Sequence, residues 1–181
     1  MHRGVYFSAT LVLSLLTLGC GHARHHRTQW ASVERAVAVM TPTAGNTASG
    51  VVTFTQVEGG VRIVADINGL NPNQRHAFHV HEFGDARDAK GKSAGGHYNP
   101  EGHDHGRPEA AVRHAGDLGN LVADGTGRAH YDRVDDRITI AGMLNPIVGR
   151  GVIIHAGEDQ FTQPTGAAGA RIAIGVIGIA K

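Results

Sequence analysis

From Val33 onward the chain reads as short apolar and β-branched runs separated by polar turn residues. Ala36–Met40, Gly50–Thr55 and Val61–Ile67 are the first three, cut by Pro42, Gly45-Asn46, Gly59-Gly60 and Asn71-Pro72. β-Branched side chains fit a pleated surface, and Gly-Gly between two such runs is a hairpin signal. Further runs follow at Ala77–His81, Gly127–Tyr131, Ile138–Ile140, Gly151–His155 and Arg171–Ile179. No long helical period interrupts them. The pattern predicts an all-β domain over residues 33–181, an antiparallel sandwich or barrel.

Two segments depart from this pattern. Met1-His2-Arg3 is followed by an apolar stretch of 16 residues, Gly4–Gly19. A membrane-spanning helix needs about 20 residues and a signal-peptide core roughly 7–15, so residues 1–19 are expected to be an export signal. Thr17-Leu18-Gly19-Cys20 resembles the lipobox of bacterial lipoproteins, which implies cleavage before Cys20 and lipidation of its thiol. Residues 20–32 then form a polar, His-rich tether. The expected location is the bacterial cell envelope or periplasm, with membrane contact only through that anchor. The second departure is residues 84–117, rich in Gly, Asp, Lys and His and lacking any strand pattern. Loops beyond about 12–15 residues in compact domains are usually functional or disordered, and this one is read as held by metal.

Composition narrows the function classes. Lys+Arg 17 against Asp+Glu 16 leaves no electrostatic footprint for nucleic acid, and few aromatic residues leave no stacking platform for single strands. A single Cys excludes an intrachain disulfide, a zinc finger and a dithiol redox motif. Gly at 26 suits tight turns, while His at 13 points toward metal.

The histidines fall in a usable order. His79 and His81 lie two apart on a strand run, so both face the same side and can share an ion. His97, His105, His114 and Asp117 all fall in the long loop, a compatible donor set for a structural zinc. His155 ends an apolar strand, where an imidazole makes a poor core residue. Six His and one Asp are one ligand short for two four-coordinate ions unless one ligand bridges.

Ala77–Asp85 (AFHVHEFGD), Ser93–Pro100 (SAGGHYNP), His114–Asn120 (HAGDLGN) and Gly175–Ala180 (GVIGIA) resemble the motifs of copper–zinc superoxide dismutases. The likeness runs in order from about Val33 to Lys181. It implies an eight-stranded antiparallel Greek-key β-barrel with long metal-binding and electrostatic loops. It implies copper at His79, His81, His97 and His155, and zinc at His97, His105, His114 and Asp117, with His97 bridging. Family spacing selects His105 over His103. Asp159 fits the carboxylate that orients a copper His and a zinc His, and Arg171 fits the cation that guides the anion beside copper. The implied reaction is dismutation of superoxide to dioxygen and hydrogen peroxide by alternate reduction and reoxidation of copper, with a proton taken up at His97. A copper-buffering envelope lipoprotein is the competing reading, and a structural or adhesive β-domain a third.

The sequence also departs from the family. Gly91 and Ile174 stand where a disulfide usually ties the long loop to the last strand. Closing such a loop contributes about 4–5 kcal/mol in the chain-entropy model, so loop order is expected to lean on zinc. The stretch Ala156–Ala170 is short, which bears on substrate steering, and the missing disulfide leaves a homodimer open. His22, His25 and His26 are either an exposed basic linker or a copper-capturing segment. His76 and His130 read as ordinary surface or strand residues.

Overall fold

The computed structural model describes Met1 and residues 33–181. The export signal, Cys20 and His22, His25 and His26 lie outside the described residues. The described residues form nine strands: β1 (Arg35–Pro42), β2 (Ser49–Val57), β3 (Gly60–Asn68), β4 (Arg75–His81), β5 (Asp117–Val122), β6 (Ala129–Asp135), β7 (Gly151–His155), β8 (Arg171–Val176) and the two-residue β9 (Gly178–Ile179). Hydrogen bonding follows the order β5-β4-β7-β8-β1-β2-β3-β6, with β9 on β1. All the paired strands are antiparallel. The connections β3–β4 and β6–β7 cross over, giving a Greek key. β5 and β6 end the order and face each other, so eight strands make a nearly closed barrel.

Alternation explains the interior. Ala36, Ala38 and Met40 of β1, Val52 and Phe54 of β2, and Val61, Ile63, Ala65 and Ile67 of β3 point inward and are buried. Their neighbours Val39 and Val51 point out. Across the barrel, Phe78 meets Tyr131 edge-on with centroids 5.3 Å apart. This single interior cluster supplies the rigid wall on which the site is mounted.

Two strand expectations change. Residues 138–140 form no strand, only an isolated bridge from Thr139 to Pro146. β5 is a strand the apolar pattern does not announce, because Asp117, Gly119 and Asn120 occupy half of it. The long segment before it carries a 3₁₀ turn at Lys92–Ala94 and a bridge between His81 and His97.

β4 is buried on both faces. Phe78 and Val80 look into the barrel. His79 and His81 look out and are covered by the long loop and by residues 156–170.

Candidate metal centre

Four imidazoles come together on the outer face of β4 and β7. His79, His81, His97 and His155 each offer one ring nitrogen, all within 4.8 Å of one another, and all four residues are buried. Their outer nitrogens are occupied. His79 Nε2 donates to Asp159 Oδ2 at 2.9 Å, His81 Nδ1 to the Gly95 carbonyl at 3.0 Å, and His155 Nδ1 to the Gly169 carbonyl at 3.1 Å. These bonds fix each tautomer and leave Nδ1 of His79 and Nε2 of His81 and His155 as buried atoms without a partner. An unpaired buried nitrogen is costly. Three of them facing one another mark a place for a cation.

A second group shares His97. His97, His105, His114 and Asp117 are buried and also fall within 4.8 Å. Asp117 Oδ1 lies 3.0 Å from His97 Nδ1, 2.9 Å from His105 Nδ1 and 3.1 Å from His114 Nδ1. His114 Nδ1 is 3.3 Å from His97 Nδ1. A tetrahedron of ligands about 2.0–2.1 Å from zinc has edges of about 3.3 Å, close to these separations. The His105 Nδ1 to Asp117 Oδ1 contact is short. With Nε2 donating to Asp159, a neutral His105 turns an acceptor toward Asp117, as two ligands do around an ion. Asp117 Oδ2 accepts the backbone N–H groups of Gly106 and His114, both at 3.0 Å, which aims Oδ1 at the imidazoles. His97, with Nδ1 in this group and Nε2 across the ring, joins the two.

Asp159 ties the groups together from behind. Besides His79 it accepts His105 Nε2 at Oδ1, 2.8 Å away. Its own backbone is clamped by Asn120, whose Oδ1 accepts the Asp159 N–H at 2.7 Å and whose Nδ2 donates to the carbonyl at 3.1 Å. Gly166 makes room for this bridge: at φ +75° it has no Cβ, which would stand 1.9 Å from Asp159 Oδ1.

The electrostatics follow the two environments. Burial holds His79, His81, His97 and His155 below the ordinary imidazole value, to about 4 for His97 and about 3 for His155. These rings are neutral ligands at physiological pH. Burial also opposes charge on His105, but Asp117 and Asp159 on either side overcome it and raise the ring to about 9. Asp117 and Asp159 are both held below the ordinary carboxylate range, by hydrogen bonds to His105 among others, despite their burial.

Arg171, at the start of β8, is half-buried, and its guanidinium donates to the carbonyls of Gly91 and Gly95. Gly95 is also the acceptor for His81, so the cation is pinned beside the first group. Gly91 and Ile174, the positions without the family's disulfide, have separate attachments. Ile174 packs with Ala94 and Ile153 in a small apolar cluster. Gly91, at φ +71°, holds Arg171 through its carbonyl.

His103 lies outside both groups, with Nδ1 3.3 Å from the Arg113 carbonyl and 3.4 Å from Glu101. His130 is exposed and pairs with Asp66 across β6 and β3. His76 is a strand residue of β4 and not a surface one: it is fully buried, and its Nδ1 donates to the His155 carbonyl at 2.9 Å. Its position two residues before Phe78, on the inward side of β4, is the signal for that burial. Asn120 and Arg113 are further positioning residues that the sequence did not single out.

The copper/zinc superoxide dismutase (SODC) family model matches residues 48–177. The chain is 45% identical over 139 residues to the superoxide dismutase (Cu-Zn) of Paramecium bursaria Chlorella virus 1, covering 73% of each chain. It is 46% identical over 155 residues to the superoxide dismutase (Cu-Zn) of Schizosaccharomyces pombe, covering 81% of this chain and 98% of that one.

Proposed function

The chain belongs to the copper/zinc superoxide dismutase family, and we propose that it converts two superoxide anions and two protons to dioxygen and hydrogen peroxide. The observation that carries this reading is the pair of four-ligand groups sharing one imidazole, His97. His79 Nδ1, His81 Nε2, His97 Nε2 and His155 Nε2 would hold copper, four nitrogens suited to a tetragonal cupric ion. His97, His105 and His114 through Nδ1, with Asp117 Oδ1, would hold zinc, a mixed nitrogen and oxygen set suited to a tetrahedral ion. Bound copper supplies one-electron exchange, and zinc, which has no redox chemistry, supplies fixed charge and geometry.

The chain's own residues do the rest. His97 is anchored on its Nδ1 side by the Asp117 group, so Nε2 is the atom at which a proton is taken up and from which it is delivered to the reduced oxygen. Asp159 keeps His79 and His105 in fixed orientation through the cycle. Arg171 places a positive charge, immobilised by two carbonyls, where it draws in a small anion. The competing reading, metal buffering without turnover, has no use for such a cation.

The test is superoxide decay catalysed by protein loaded with copper and zinc, beside His155→Ala and His97→Ala. Activity lost in His155→Ala and reduced in His97→Ala supports the assignment. An inactive parent protein that still binds one ion of each metal supports buffering.

We also propose that residues 1–19 are an export signal and that Cys20 is lipidated, anchoring the domain in a bacterial cell envelope. The support is the Thr17-Leu18-Gly19-Cys20 sequence after the apolar stretch. Two or more acyl chains hold a protein stably on a bilayer where one does not. Palmitate labelling lost in Cys20→Ser supports it, and labelling unchanged or absent in both contradicts it.

A further inference from the structure

The two ends of the barrel's hydrogen-bonded order, β5 and β6, meet without pairing, and a cleft of about 220 Å³ opens over that seam. Leu118, Gly119 and Asn120 of β5 form one wall, and Tyr131 and Arg133 of β6 the other. The Tyr131 hydroxyl donates to the Leu118 carbonyl at 2.9 Å and closes the floor. Three guanidinium groups line this small space, from Arg75, Arg107 and Arg133, against one carboxylate, Glu109.

None of the three is committed to a strong partner. Arg75 pairs with Glu158 at 2.7 Å, each side chain about half exposed. Arg133 pairs with Glu109 at 2.7 Å, the Glu mostly exposed. Exposed pairs of this kind contribute little and exchange readily. Among the described residues the Arg107 side chain makes no hydrogen bond or ion pair, and its guanidinium lies 4.2 Å from the centroid of the Phe161 ring. Arg133 Nε is buried and has no acceptor. A donor without an acceptor, beside two loosely held cations and one unpaired one, calls for an oxygen-rich anion. Guanidinium forks match phosphate oxygens bidentately.

We propose that this seam is a binding site for a phosphate-class oxyanion, held by Arg75, Arg107 and Arg133. It lies behind the metal groups and is separate from the anion path at Arg171. Two of its lining residues also touch the metal scaffold: Asn120 clamps Asp159, and Phe161 stacks over His105 with centroids 6.3 Å apart.

Isothermal titration of the copper- and zinc-loaded protein with inorganic phosphate, against chloride at matched ionic strength, tests the site. The Arg171→Gln background removes the other cation placed to take an anion. One phosphate per chain should bind there. Binding should weaken at least about tenfold when Arg107→Gln and Arg133→Gln are added. Glu109→Gln removes the competing carboxylate and should tighten binding about two- to fivefold, a gain that misfolding cannot imitate. Glycerol 3-phosphate replaces phosphate in a second arm, so that binding of the ester, with the same dependence on the arginines, distinguishes a headgroup from a free ion. Phosphate affinity indifferent to Arg107, Arg133 and Glu109, or abolished by Arg171→Gln alone, overturns the proposal.

Discussion

His79 and His105 donate to opposite oxygens of one carboxylate, Asp159, so a ligand of each four-residue group is oriented by the same side chain. Asp159→Asn keeps the shape but leaves one acceptor oxygen where two are used. One imidazole then faces an amide N–H and turns away. Loss of such a partner typically costs 10–100-fold in metal affinity. Competition titrations should show weaker binding of both metals, and unchanged affinity for both would contradict the shared-carboxylate account.

Gly166→Ala tests the space around that bridge. The added Cβ would stand 1.9 Å from Asp159 Oδ1 and 2.9 Å from His105 Nε2, at a φ of +75° that disfavours any side chain. A loss of about 1–3 kcal/mol of stability is expected from the backbone alone. Zinc content should fall with it. Thermal unfolding and metal analysis of the purified variant read the two effects separately.

Arg113 is 2% exposed, with Nη2 2.7 Å from Asp135 Oδ2 and Nη1 donating to the His114 carbonyl at 3.2 Å. The pair ties β6 to the turn carrying two zinc-group residues. Asp135→Ala leaves the buried cation with only the exposed Asp136 at 3.6 Å and should destabilise the protein by about 3 kcal/mol in denaturant unfolding. Replacing both partners, as Arg113→Met with Asp135→Leu, should recover most of that. A double variant as weak as the single one argues that packing, and not the orphaned charge, sets the effect.

The pH dependence of the metal-free protein follows from opposed histidines. Burial lowers His97 to about 4 and His155 to about 3, so between these values and 6.5 the unfolded chain binds the extra protons and stability rises with pH. His105 is raised to about 9 by its two carboxylates, so between 6.5 and 9 the folded chain holds the extra proton and stability falls as pH rises. Melting temperatures of chelator-stripped protein should therefore peak near pH 6.5. A continuous rise to pH 9 would show that the His105 proton is absent.

Zinc removal should loosen only part of the long loop. Its first half carries its own ties: Ser93 Oγ donates to the Asp85 carbonyl at 2.7 Å, Asp88 Oδ1 accepts the N–H groups of Lys90 and Lys92, and Ala94 is buried. Residues 97–117 converge instead on Asp117 and its imidazoles. Hydrogen exchange after chelation should speed up in 97–117 and change little in 84–96. Uniform acceleration across both halves would mean that zinc organises the whole loop.

Much of this architecture was legible from the chain. β1 to β3 follow from alternation and turn residues, because their buried faces are apolar, and β4 follows from its apolar run despite its buried histidines. β5 was hidden by its chemistry, since Asp117 serves a ligand group and Asn120 serves Asp159 in places where a strand usually shows branched apolar residues. The seven metal-competent residues were readable because two fall at period two on a strand and the family motifs space the others. His76 reads as ordinary because a histidine near two metal-competent ones looks incidental, and only its inward parity with Phe78 betrays its burial. The clamps by Asn120 and Arg113 depend on contacts between segments far apart in the chain, which no local pattern carries.

The apolar contact of Ile174 with Ala94 and Ile153, and the Arg171 bond to Gly91, lie at the two positions where the family resemblance implies a covalent link. With one Cys in the sequence, no step in folding this chain awaits an oxidant acting on a pair of its thiols. At these positions the loop docks by burial and hydrogen bonding, with no covalent link to be formed in an oxidising compartment. Docking of the loop onto the barrel is thereby indifferent to the thiol chemistry of the surroundings.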